Sequence, residues 1–336
     1  MNPRLVPCSV LALLFVPVLA VSTASAQNPA KRPTPVRIDY DTVKRLFGDY
    51  PTAPAVDNPV TPEKVKLGKA LYHEKSISKN GNTSCASCHD IATYGVDNKR
   101  VSPGSDGKDG DRNTPTTLNA FRQYAQFWDA RAATVEEQCI GPVLNPVEHG
   151  VGDEAELVKK LKEKAELVDG FKAAFPKDAD PVTANNFKLA VGAFERTLVT
   201  KSKFDAYLDG DQKALSNEEK AGLKKFMDTG CITCHTTRLL GGNMLQKSGL
   251  LKPYPTEDIG RARVTKSDAD KGFFKVPQLL NVEKTAPYYH DGKVATLEEA
   301  VTKMADLQLN KQLTPEEVAS IVTFLKTLTG PLPELK

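Results

Sequence analysis

The chain has 336 residues, 45 basic and 42 acidic, with a formal net charge of +3. That near-balance excludes the broad basic surface of a nucleic-acid-binding protein, and the length suits two domains of ordinary size. With only six cysteines and five histidines, their spacing carries meaning.

In chain order, residues 1–26 read as a secretory signal. Arg4 is its positive start, residues 10–21 are apolar, and Ala24-Ser25-Ala26 is a small-residue cleavage site. The stretch is too short for a membrane span, and no later segment approaches that length. Cys8 does not look like a lipid-attachment site. The expected mature chain starts at Gln27, exported to the periplasm, with an extended lead over residues 27–39. Thr61 and Pro62 then open a helix as cap and first position, running to Tyr72. A polar turn leads to Cys85-Ala-Ser-Cys88-His89. A long Gly- and Asp-rich connection occupies residues 102–112. Apolar residues spaced by three and four predict helices over 153–165 and 182–198. Ser216 and Glu219 form a capping box for a helix reaching Met227, followed by Cys231-Ile-Thr-Cys234-His235. After an irregular stretch over 241–260, helices are predicted over 297–304 and 314–325, the last stopped by Gly330-Pro331. No segment reads as a convincing β-sheet.

Each Cys-x-x-Cys-His pentad is the attachment signature of a c-type haem. Two thiols bond one porphyrin and the adjacent imidazole reaches its iron. Zinc would want its four ligands together in the fold, whereas these pairs lie far apart in sequence. Cys139 is left unpaired and reads as a small buried hydrophobe. The expected fold is all-α, with two cytochrome c-like domains, each around one covalent c-type haem, bounded at 27–200 and 201–336.

Beyond the pentads, the chain carries Arg112-Asn-Thr-Pro-Thr116, Phe127-Trp-Asp-Ala-Arg131, Glu137-Gln138, Gly141-Pro142, Asn145-Pro-Val-Glu148, Thr285-Ala-Pro-Tyr-Tyr-His290, and Met304 before Lys311-Gln-Leu-Thr314. In this order they resemble the bacterial di-haem cytochrome c peroxidases, with their MauG-type relatives, from about Leu67 to Gly330. The resemblance implies that the C-terminal haem collects electrons from a small donor, a cytochrome c or a copper protein. The N-terminal haem then reduces hydrogen peroxide to water. It further implies that His89 and His235 bind iron and that Met304 is the second ligand of the C-terminal iron. His/Met ligation raises a haem's potential; MauG-type proteins place tyrosine there. Trp128 matches an indole between the haems. Glu148 matches the catalytic acid/base, since a carboxylate can move a proton between the two peroxide oxygens. Gln138 matches a residue that orients peroxide. Asn113, with the carbonyls of Thr285 and Pro287, matches an interdomain calcium site, where hard oxygen ligands suit the ion. Homodimers are common in such a family.

One departure has mechanistic weight. Many such peroxidases block the N-terminal iron with a histidine from the loop before Arg112. Here that loop has no histidine, and Ser105 stands at the matching place. An iron open in every redox state is expected, without reductive activation. His149 leaves three roles open: iron ligand, partner in the proton work, or a side chain facing away. His73 reads as a packed or surface residue and His290 as structural. The alternatives to a peroxide reductase are a MauG-type oxidase acting on a partner protein and a non-catalytic di-haem carrier or redox sensor.

Overall fold

The computed structural model describes residues 36–335, together with Met1 and Pro3. The predicted signal segment therefore lies outside the described residues, apart from those two positions. Described residues 36–39 are non-helical, as expected of the lead segment, and Asp39 caps the first helix.

The helices are α1 (Tyr40–Phe47), α2 (Pro62–His73), α3 (Cys85–Cys88), α4 (Val135–Leu144), α5 (Glu154–Lys162), α6 (Ala165–Ala174), α7 (Ala184–Glu195), α8 (Lys203–Leu208), α9 (Asn217–Thr229), α10 (Ala262–Thr265), α11 (Leu297–Leu309) and α12 (Pro315–Lys326). Two short strands, β1 (Leu245–Lys247) and β2 (Phe273–Lys275), pair antiparallel with Gln246 opposite Phe274. This corrects the expectation of no sheet: each strand has three residues, too short for alternation to register.

The predicted caps form. Thr61 accepts from the Lys64 N–H at 3.3 Å, and Ser216 and Glu219 close their box at 3.2 and 2.6 Å. Such a cap is worth about 1 kcal/mol. The segment predicted as one helix over 153–165 is instead two, because the chain turns at Glu163-Lys164 and restarts at Ala165. Helix α4 carries Gln138, and its Pro142 had masked it from a helical reading.

Each half is organised by one close helix crossing. Helix α2 packs on α7 and α9 on α12. At the first, a Cβ on Gly68 would lie 2.0 Å from the Ala190 carbonyl; at the second, one on Gly222 would lie 2.1 Å from the Ser320 carbonyl. Only glycine permits backbones to approach so closely. Around these crossings, Leu71, Phe171 and Phe187 are buried in the first half, and Phe204, Phe226 and Phe324 in the second. Helix α1 joins the second-half cluster through Val43 and Phe47, and Tyr40 donates to the Leu208 carbonyl at 3.1 Å.

Candidate functional site: two cavities sharing an indole wall

Each pentad opens onto a cavity. The first, about 480 Å³, is lined by Cys85, Cys88, His89, Gln138, Glu148 and His149. The second, about 240 Å³, is lined by Cys231, Cys234, His235 and Met304. Trp128 and Asn113 border both. The sequence-predicted residues thus lie in two groups, one around each pentad.

Several observations fit a haem in each cavity. All five described cysteines are free of disulfides, so both thiols of each pentad are available for bonds to a porphyrin. Burial pushes the Cys85 and Cys231 thiols up to about 12. His235 Nδ1–H donates to the Leu240 carbonyl at 2.8 Å, and His89 Nδ1–H to the Gly95 carbonyl at 3.3 Å. Those bonds leave each Nε2 free to act as ligand. Burial lowers both imidazole pKa values, favouring the neutral, metal-binding form. Lys275 provides an independent sign in the second cavity. It is buried, its ammonium donates to the Gln123 amide oxygen, and among the described residues it forms no ion pair with a carboxylate. Burial pulls it down to about 8. An unpaired buried cation calls for an anion, and a carboxylate of a bound porphyrin would supply one.

The first cavity carries the proton-handling groups. Burial raises the Glu148 pKa, against the opposing hydrogen bond from Asn145 Nδ2 at 2.7 Å and the Arg131 charge. Glu195, which sequence reasoning missed, also lines this cavity; burial and the neighbouring Glu136 charge push it up to about 8. Its position inside α7, among apolar residues, was the signal available. Cys139 is buried there as expected, its thiol donating to the Glu136 carbonyl at 3.3 Å.

His149 does not face away. It is buried on the cavity wall, both ring nitrogens lack a hydrogen-bond partner, and burial lowers it to about 4. His73 is exposed and lines neither cavity, and its Nδ1–H donates to the Lys69 carbonyl at 2.9 Å. His290 is buried and packed on Phe274, ring centroids 4.0 Å apart, in the wall of the second cavity.

Ser105 is tied down beside Glu148. Its N–H donates to the Glu148 carbonyl at 2.7 Å, and its hydroxyl donates to Asn82 Oδ1 at 2.8 Å and accepts from the Asn80 N–H at 3.1 Å. Arg112 bridges the halves in sequence, bonded to Asp129 at 2.7 Å and Asp258 at 2.6 Å. Burial alone would raise Asp258, but the guanidinium draws it down to about 2. Of the three suggested calcium ligands, all line the second cavity, and the Asn113 amide N–H₂ donates to the Lys99 carbonyl at 2.9 Å, so that bond uses the nitrogen and not the amide oxygen.

Comparison with known proteins accords with this arrangement. Residues 62–213 match the model of the family described as di-haem cytochrome c peroxidase. The chain is 43% identical to the cytochrome c551 peroxidase of Nitrosomonas europaea, over 82% of this chain and 84% of that one. It is 42% identical to the cytochrome c551 peroxidase of Pseudomonas aeruginosa, over 88% of each. Among solved structures, a MauG-like protein associated with microbial copper homeostasis superposes with a TM-score of 0.75 at 30% identity, covering 83% of this chain and 93% of that one. Two pentad-lined cavities with a shared indole wall, and relatives this similar along most of the chain, give one conclusion: the chain belongs to the di-haem cytochrome c peroxidase family.

Proposed function

We propose that this chain is a periplasmic peroxidase that reduces hydrogen peroxide to water with electrons from a small redox protein, a cytochrome c or a copper protein. In this reading residues 27–200 and 201–336 form two cytochrome c-like domains, electrons enter at the C-terminal one, and peroxide is reduced at the N-terminal one. The carrying observation is Glu148, a carboxyl on the wall of the first cavity whose pKa burial raises, beside Gln138 and His149.

Haem c, when bound through Cys85, Cys88 and His89, and through Cys231, Cys234, His235 and Met304, supplies iron for peroxide binding and electron storage. Glu148 takes the proton from the inner peroxide oxygen and returns it to the outer one, so that water leaves. Asn145 holds one carboxyl oxygen and leaves the other for this work. Gln138 orients peroxide through its amide, which has no proton to exchange at neutral pH. Trp128 shortens the path between the cavities. Asn113, Thr285 and Pro287 hold calcium through oxygen atoms, and two copies pair as a homodimer.

The loop over residues 102–112 brings no iron ligand, and its bonds at Ser105 favour a fixed position. An iron held by His89 would then receive no ligand from this loop and would be open to peroxide without prior reduction, with His149 as the side chain on that wall that could close it. A MauG-type oxidase would carry tyrosine where Met304 stands. Mixing fully oxidised protein with peroxide in a stopped-flow spectrometer tests the reading: immediate reaction supports it, and reaction only after one-electron reduction counts against the open iron and points to His149.

A further inference from the structure

A continuous row of rings leaves the shared wall. The Trp128 and His290 centroids are 6.4 Å apart, and His290 and Tyr254 are 5.6 Å apart. Tyr254 and Tyr289 then stack 5.0 Å apart, within 4° of parallel. Both tyrosines are 9% exposed. The row is held rigidly at its start, because Trp128 Nε1–H donates to the Asn113 carbonyl at 2.8 Å and the Asn113 N–H donates to the His290 carbonyl at 2.8 Å.

Tyr254 differs from its neighbours in what its hydroxyl meets. The phenol donates to the Asp291 carboxylate, 2.9 Å from one oxygen and 3.1 Å from the other, and Asp291 is 6% exposed. Tyr289 instead donates to the Ala300 carbonyl at 3.3 Å, which cannot take a proton. A phenol becomes a strong acid once it loses an electron. A buried tyrosine is therefore oxidised readily only where a base waits in hydrogen-bond contact.

We propose that Tyr254 is a redox-active side chain that gives up one electron, through His290 and Trp128, when peroxide meets the protein without a donor. This rests on the peroxidase reading above. Hydrogen peroxide needs two electrons and two protons to become two water molecules. In protein holding one stored electron, that electron is the first and the Tyr254 phenol provides the second. The phenolic proton passes to Asp291, leaving a neutral phenoxyl and a protonated carboxyl, while the two protons that peroxide needs beyond its own enter from solvent by way of Glu148. The oxidising equivalent thus comes to rest on a buried ring pair, away from the peroxide site.

The test uses holoprotein reduced by one equivalent, mixed with excess peroxide without donor, and frozen for electron paramagnetic resonance. A phenoxyl signal is expected, altered by ring-deuterated tyrosine, lost in Tyr254→Phe and retained in Tyr289→Phe. Asp291→Asn keeps an acceptor oxygen but no base, and the signal should weaken there too. With a reduced donor in excess, Tyr254→Phe should turn over like the parent. Peroxide consumed with no phenoxyl, or with one unchanged in Tyr254→Phe, overturns the proposal. If no peroxide is consumed, the peroxidase reading has failed instead. Flash photo-oxidation by a ruthenium(III) polypyridyl then decides the relay alone: a Tyr254-dependent phenoxyl supports it, and its absence overturns it.

Discussion

Trp128 is anchored to Asn113 by a 2.8 Å hydrogen bond from the indole to the backbone carbonyl, and both residues face both cavities. The indole is thus fixed in the partition instead of filling one side of it. Trp128→Phe keeps an aromatic ring but loses the anchor and part of the bridge. Electron transfer between the haems should slow by about tenfold, equivalent to roughly 1.4 kcal/mol of barrier. Haem content and both midpoint potentials should stay unchanged. Double-mixing absorbance measurements read the internal step, and an unaltered rate would remove Trp128 from the path.

Glu148→Gln preserves size and the contact with Asn145 but removes the exchangeable proton. Peroxide turnover should fall by about 10²- to 10⁴-fold, the range typical of a general acid/base, with both haems still incorporated. Near-parental turnover in this variant would transfer the role to His149, whose two ring nitrogens have no hydrogen-bond partner on the same wall, and His149→Met would then be the decisive variant.

Met304 reaches the second cavity from α11 and packs beside Tyr254 and Tyr289. Met304→His should keep the C-terminal iron six-coordinate and lower its potential, because imidazole stabilises ferric iron better than a thioether does. A redox titration in which the higher-potential wave does not move would exclude Met304 as ligand.

Glu195 has a folded-state pKa of about 8 against an ordinary value of 4.5. Below the ordinary value, folded and unfolded chains are both protonated there. As pH rises towards 8, the unfolded chain releases a proton that the folded chain keeps, so stability falls across that window. Glu195→Gln should flatten this part of the curve of melting temperature against pH. Equal slopes for parent and variant between pH 5 and 8 would contradict a protonated Glu195.

How much of this could be read from the sequence depends on how local each feature is. The pentads, the Thr61 and Ser216 caps and the helix over 314–325 are set by neighbours within a few residues, and they stand as expected. The assembly of Glu148, Gln138 and Trp128 around one cavity was legible only through the ordered motifs that resemble a known family. The strands β1 and β2 escaped because their pairing joins segments far apart in sequence. Gly68 and Gly222 occupy matching places before the two pentads, yet their purpose appears only when α7 and α12 are laid across them. The same holds for His149: sequence left its direction open, and packing against Pro142, whose carbonyl accepts its N–H at 3.1 Å, brings it to the cavity.

The central claim is a peroxide reductase whose N-terminal iron is always accessible. Steady-state peroxide consumption by fully oxidised protein, never pre-reduced, with a reduced small cytochrome as donor, tests it most directly. The account predicts full turnover from the first seconds, with no lag, and one peroxide consumed for every two donor molecules oxidised. A lag abolished by pre-reduction would contradict the open iron, and no consumption under either condition would contradict the activity itself.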